Sequence, residues 1–138
     1  MPARDIIHGA VKAALIKDGW TITHDPFQLQ LANLHFLVDL GAERAIAAEK
    51  EGQKIAVEIK SFAGKSPVYA LEQAIGQYTV YTTALTRTEP ERTLYLAVNE
   101  RAFARVFDTP AGHIFIVDLA LKIIVVSQEK EEVVKWIP

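Results

Sequence analysis

Residues 51–67 read EGQKIAVEIKSFAGKSP and carry three structural signals in succession. Glu51-Gly52 is a pair suited to a two-residue turn between strands. Residues 53–60 follow as a strand, because side chains alternate and Ile55, Val57 and Ile59 form one apolar face. Ser66-Pro67 then supplies a helix N-cap and a first-turn proline. A hairpin strand leading into a helix is the core step of an α/β domain. The strand also raises a question. Glu58 and Lys60 share its second face, placing a carboxylate and an ammonium side by side on one edge of a sheet, amid residues that favour burial. Charges in such a setting are costly unless they are paired or used.

Upstream of the turn, residues 43–49 read as extended and residues 34–40, LHFLVDL, as a strand, with Gly41 bending the path between them. Residues 27–33 form a connector, His24-Asp25-Pro26 a turn, and residues 19–23 a short strand. Residues 5–18 repeat apolar side chains at helical spacing through Ile6, Ile7, Ala10, Val11, Ala14 and Leu15, and Gly19 stops the helix. Downstream, the helix opened by Ser66 runs to about residue 85 on an apolar face of Leu71, Ala74, Ile75, Tyr78 and Leu85. Residues 93–98 form a buried strand, a short helix covers 99–107, and strands occupy 113–119 (HIFIVDL) and 121–127. The tail packs Trp136 on the body. The expected order is α-β-β-β-α-β with a C-terminal β extension around a central mixed sheet, in a single domain spanning residues 1–138.

The composition agrees. The chain has 138 residues, half of them hydrophobic, and no cysteine, which excludes a disulfide framework and a zinc-thiolate site. No stretch approaches the ~20 apolar residues of a membrane helix, and charges interrupt the N-terminal segment where a signal peptide needs apolar residues. A cytoplasmic protein is expected. The 15 Lys and Arg against 17 Asp and Glu give a net charge of −2, so the global basicity of a nucleic-acid coat is absent. Contact with DNA then requires a local patch, a metal ion or a partner.

Asp39, between Val38 and Leu40, is a further acid on an apolar strand. Two carboxylates and a lysine on adjacent strands suit metal-assisted phosphodiester chemistry, with Asp39 and Glu58 as oxygen ligands of Mg²⁺ or Mn²⁺ and Lys60 assisting the attacking water. An acid followed at a distance by Glu-x-Lys resembles the PD-(D/E)XK nuclease superfamily, whose restriction-endonuclease-like core has the same element order. The resemblance places Asp39, Glu58 and Lys60 at the two metal-ligand positions and the lysine position. Gln77 and Tyr81 resemble the Gln-x-x-x-Tyr element of RecB-type nucleases, and Asp5 is the candidate for the acid of the first helix. Val38 stands where the superfamily pattern has proline.

The runs HGAVKAALIKDGWTITHDP, VDLGAERAIAAEKEGQKIAVEIKSF, GQYTVY and LYLAV are similar to the XisH family, the fdxN-element excision controlling factors of cyanobacteria. This resemblance implies a role in developmentally regulated DNA excision with a site-specific recombinase and the control protein XisI. It leaves the family's own chemistry open between a Mg²⁺-dependent endonuclease acting on DNA and a catalytically inactive module that binds a partner or a DNA structure. A third reading is a nuclease toxin restrained by XisI. A homodimer is expected by analogy with enzymes of this fold that cut two strands.

The hairpin supplies an internal test. With Glu51-Gly52 as the turn, Lys50 pairs with Gln53, Ala45 faces Glu58 and Glu43 faces Lys60. Asp39 is then ~20 Å from Ala45 along a straight strand at ~3.3 Å per residue, too far to share a metal with Glu58. Either the chain bends near Gly41, or the register differs, or Glu43 is the nearer carboxylate. Structural alternatives stand beside each assignment. Glu58–Lys60 serves equally as an ion pair, Asp39 as a turn cap, Asp5 as an N-cap, and Gln77 and Tyr81 as ordinary helix residues. The four histidines show no metal-ligand spacing.

Overall fold

The computed structural model describes residues 3–36 and 45–138. The first helix, α1 (Ala3–Lys17), buries Ile7, Ala10, Val11, Ala14 and Leu15. Ile6, placed on that face by its spacing, is exposed instead. Gly19 ends α1 at φ +94°. Its N–H donates to Ile16 O at 3.0 Å and the Trp20 N–H to Leu15 O at 2.9 Å, the paired bonds of a Schellman stop that requires a left-handed residue.

The chain then forms β1 (Thr21–His24), the small hairpin β2 (Leu29–Leu31) and β3 (Leu34–Phe36), and the main hairpin β4 (Ala45–Lys50) and β5 (Gln53–Ile59). Glu51 and Gly52 both have positive φ, as a type I′ turn demands. The register follows from that turn: Lys50 pairs with Gln53 and Ala45 with Glu58. Helix α2 (Pro67–Thr88) begins at Ser66, whose side chain accepts from the Tyr69 N–H at 3.2 Å. It carries the chain over the sheet to β6 (Arg92–Asn99), parallel to β5.

A short helix, α3 (Glu100–Ala102), continues into a π-helical turn at Phe103–Phe107, closed by the Asp108 N–H on Phe103 O at 2.8 Å. Then follow α4 (Pro110–Asp118), β7 (Ile123–Ser127) and β8 (Glu132–Ile137). Residues 113–119, read from their β-branched content as a strand, form the end of α4 through Asp118, with Leu119 as its C-cap. Thr109 Oγ1 accepts from the Gly112 N–H at 2.9 Å and Pro110 occupies the first turn. A cap and proline at the start of the segment therefore override the propensity of Ile114, Ile116 and Val117.

The main sheet has the order β1-β4-β5-β6-β7-β8, with β5, β6 and β7 parallel and the outer pairings antiparallel. It is a central mixed sheet covered on both faces. Ile55, Val57 and Ile59 pack with α1, while Ala56, Leu94, Leu96 and Val98 pack with α2 and the π turn. Trp136 on β8 closes the first face against Trp20 and Tyr95, with ring centres 5.7 and 5.0 Å away.

Candidate functional site

Glu58 sits near the carboxyl end of β5, between Ala45 on β4 and Leu96 on β6. Two paired strands on either side make this the interior of the sheet, which corrects the expectation of a sheet edge. Alternation turns Glu58 to the α2 face, beside Ala56, and the residue is 1 % exposed. A carboxylate so placed needs compensation. Lys60 supplies part of it, with its Nζ 3.4 Å from Glu58 Oε1. The Lys60 backbone N–H donates to Ala97 O at 3.0 Å. That bond extends the path of β5 by one step, so residues 58 and 60 stay on one side.

Helix α2 lies over this pair. Tyr81 is 5 % exposed. Burial, and then the negative charge of Glu58, push its phenol up to about 12. The phenol therefore remains protonated, a hydrogen-bond donor facing a carboxylate. Gln77 lies one turn earlier on the same helical face and is half-buried. Its Oε1 is buried and has no hydrogen-bond partner among the described residues. Tyr78, between them, serves the fold: its hydroxyl accepts from the Lys122 backbone N–H at 3.1 Å, and burial raises its pKa.

The structure thus brings Glu58, Lys60 and Tyr81 together, with Gln77 on the adjoining turn. Asp39 and Glu43 lie outside the described residues. Asp5 lies in the first turn of α1, and its side chain is likewise outside them. The observed pairing of Ala45 with Glu58 removes one of the three ways around the distance problem, since the register is the expected one. Among the described residues no group of three His, Asp or Glu is placed to hold a metal ion, and no helix is long and apolar enough to cross a membrane.

The family model for the XisH protein matches residues 1–134. The chain belongs to the XisH family. Two solved structures support the assignment over nearly the whole chain. An XisH family protein from Nostoc punctiforme PCC 73102 is 38 % identical with a TM-score of 0.88, covering 97 % of this chain and 100 % of its own. A fdxN element excision controlling factor protein from Anabaena variabilis is 38 % identical with a TM-score of 0.89, covering 98 % and 100 %. No protein of curated function matches.

In this XisH family member a second group of polar residues adjoins Lys60, and reading the sequence alone missed it. Arg101 and Arg105 both line a cleft of about 430 Å³ beyond the ends of β5, β6 and β7. Their signal was present as two arginines four apart after Asn99. Helical spacing became visible as a shared wall only once the strand ends and the π turn were brought together.

Proposed function

We propose that this XisH family member controls excision of a DNA element through a restriction-endonuclease-like core that hydrolyses a phosphodiester bond. The observation that carries this reading is the buried Glu58–Lys60 pair at the carboxyl end of β5, 3.4 Å apart, beneath a protonated Tyr81. The path α1, β1, hairpin β4–β5, crossover α2 and parallel β6 supports a core of that kind, with the small hairpin β2–β3 inserted into the expected order of three strands. The donor chemistry suits a hard cation: Glu58 offers carboxylate oxygen, Gln77 offers a buried carbonyl oxygen, and no thiol exists in the chain. Glu58 and an upstream acid, Asp39 or Glu43, would hold Mg²⁺ or Mn²⁺. When bound, such a cation lowers the pKa of coordinated water and neutralises charge at the scissile phosphate. Lys60 orients the attacking water or the phosphate oxygen with its ammonium. Tyr81 holds Glu58 by facing it with a donor that does not ionise at neutral pH.

Regulated excision requires other components. The reading includes XisI as control partner, a site-specific recombinase, and two copies of this chain for the two strands. The test is cleavage of duplex, nicked and branched DNA by the full chain, alone and with XisI, in Mg²⁺, Mn²⁺ and EDTA. Metal-dependent cleavage abolished by Glu58→Gln and Lys60→Ala supports it. Excision that survives both substitutions would overturn it.

The net charge of −2 favours a second reading. Here the same core is catalytically inactive and binds a partner or a DNA structure to direct the recombinase. In that case Glu58→Gln leaves excision intact while substitutions on the partner surface abolish it.

A further inference from the structure

The cleft beyond the carboxyl ends of β5, β6 and β7 begins one residue after Lys60, at Ser61. Crevices at that edge of parallel strands are where α/β sheets bind ligands. Among the described residues its polar lining consists of Ser61, Asn99, Arg101, Arg105 and Gln128, with no carboxylate. In a chain with more acids than bases, a concave surface to which the described residues bring two guanidinium groups and no acid is a local reversal of charge. We infer that this cleft is a phosphodiester-binding groove that leads a nucleic-acid backbone to Lys60 and Glu58, an inference that rests on the nucleic-acid reading above.

The groups are arranged for this. Arg101 makes no ion pair or hydrogen bond among the described residues. Among the described residues its guanidinium is therefore not engaged by an anion. Arg105 Nη1 donates to Phe62 O at 3.3 Å, which ties it across the cleft while most of its N–H donors stay available. Asn99 is committed internally. Its Oδ1 accepts from the Ala102 N–H at 2.7 Å, and its Nδ2 donates to Gln128 Oε1 at 2.9 Å. The second bond engages the Gln128 amide oxygen and leaves its N–H₂ group as a donor. Arginine forks and amide donors without competing acceptors match phosphate oxygens. An exposed arginine pair on a convex helix would signify only solvation. These two share a concave wall with Ser61, at the exit of the strand that carries the candidate catalytic pair.

The test measures binding without cleavage, so its outcome is separate from that of the cleavage assay. Fluorescence anisotropy with a labelled short DNA duplex, in EDTA, is recorded between ~50 and ~200 mM salt for the full chain, Arg101→Gln, Arg101→Gln/Arg105→Gln and Glu58→Gln. Each lost phosphate contact lowers the log–log salt slope by about 0.9, so the double variant loses about 1.8, with at least a tenfold weaker affinity at low salt. Arg101→Gln alone gives about half of the slope change and, with no partner among the described residues, melts like the wild type. Glu58→Gln binds at least as tightly as wild type. Wild-type protein that does not bind the duplex at low salt would overturn the inference. So would a folded double variant with unchanged affinity and slope. Competition by polyglutamate as effective as by unlabelled DNA would also overturn it, assigning the cleft to an acidic protein partner.

Discussion

Glu58 Oε1 and Lys60 Nζ lie 3.4 Å apart at the carboxyl end of β5, on one side of the main sheet. Removing one member of a buried ion pair is far more damaging than replacing both, because the survivor keeps its desolvation cost. Lys60→Met should destabilise the protein by on the order of 3 kcal/mol, and Glu58→Leu/Lys60→Met should recover most of that loss. Urea titrations of the two variants measure it. A double variant that is stable yet inactive in excision separates a functional pair from a structural one.

Tyr81 gives a prediction at alkaline pH. Its folded-state value is raised from 10.0 to about 12. A raised value means that the stabilisation is fully present below the unfolded value and disappears as pH rises through the folded one. Stability should therefore fall between about pH 10 and about pH 12 by this group's ionisation. In Tyr81→Phe that part of the fall disappears, together with the highest tyrosine transition in an ultraviolet absorbance titration. Persistence of that transition in the variant would show that another tyrosine carries it.

Asp25 gives the opposite sign. Burial raises its pKa, but hydrogen bonds from Lys12 and His8 and their charges outweigh this and hold the carboxyl below its ordinary 3.8. Lys12 Nζ is 2.7 Å and His8 Nε2 3.1 Å from the carboxylate. The resulting stabilisation is present above pH 3.8 and is lost below it, as pH falls through the depressed folded value. Asp25→Asn should cost up to about 1 kcal/mol at neutral pH, since the cluster is partly solvated. The acid limb of its stability curve should be flatter, as thermal melts across that range will show.

Two glycines should respond in opposite directions. A Cβ at Gly112 would lie 2.3 Å from Phe107 O, a backbone atom that cannot swing aside. Gly112→Ala must displace α4 or the π turn and should cost on the order of 1–3 kcal/mol. At Gly76, inside α2, nothing lies within 4 Å, so Gly76→Ala should stabilise by roughly 0.5–1 kcal/mol through reduced chain entropy. Paired thermal melts compare the two directly.

Local chemistry made much of this molecule readable in advance. Glu51-Gly52 determined the hairpin register to the residue, because a two-residue turn leaves only one pairing of the flanking strands. Ser66-Pro67 and Gly19 marked helix ends through backbone groups within a few residues. Alternation in β5 placed Glu58 and Lys60 on one face. HIFIVDL misled because β propensity expresses packing as much as backbone preference, and the deciding signal, Thr109-Pro110, lay before the segment.

What only the tertiary structure decided is where those residues meet others. Sequence order does not say that β6 pairs with β5 on the side opposite β4, so it hid that Glu58 is interior rather than at an edge. Nor does spacing reveal that Tyr81 hangs over Glu58 and feels its charge, or that Arg101 and Arg105 share a wall with Ser61 and Gln128. Turns, caps and alternation are determined by neighbours along the chain. The candidate site and its cleft depend on contacts between distant segments, and these exist only once the sheet is assembled.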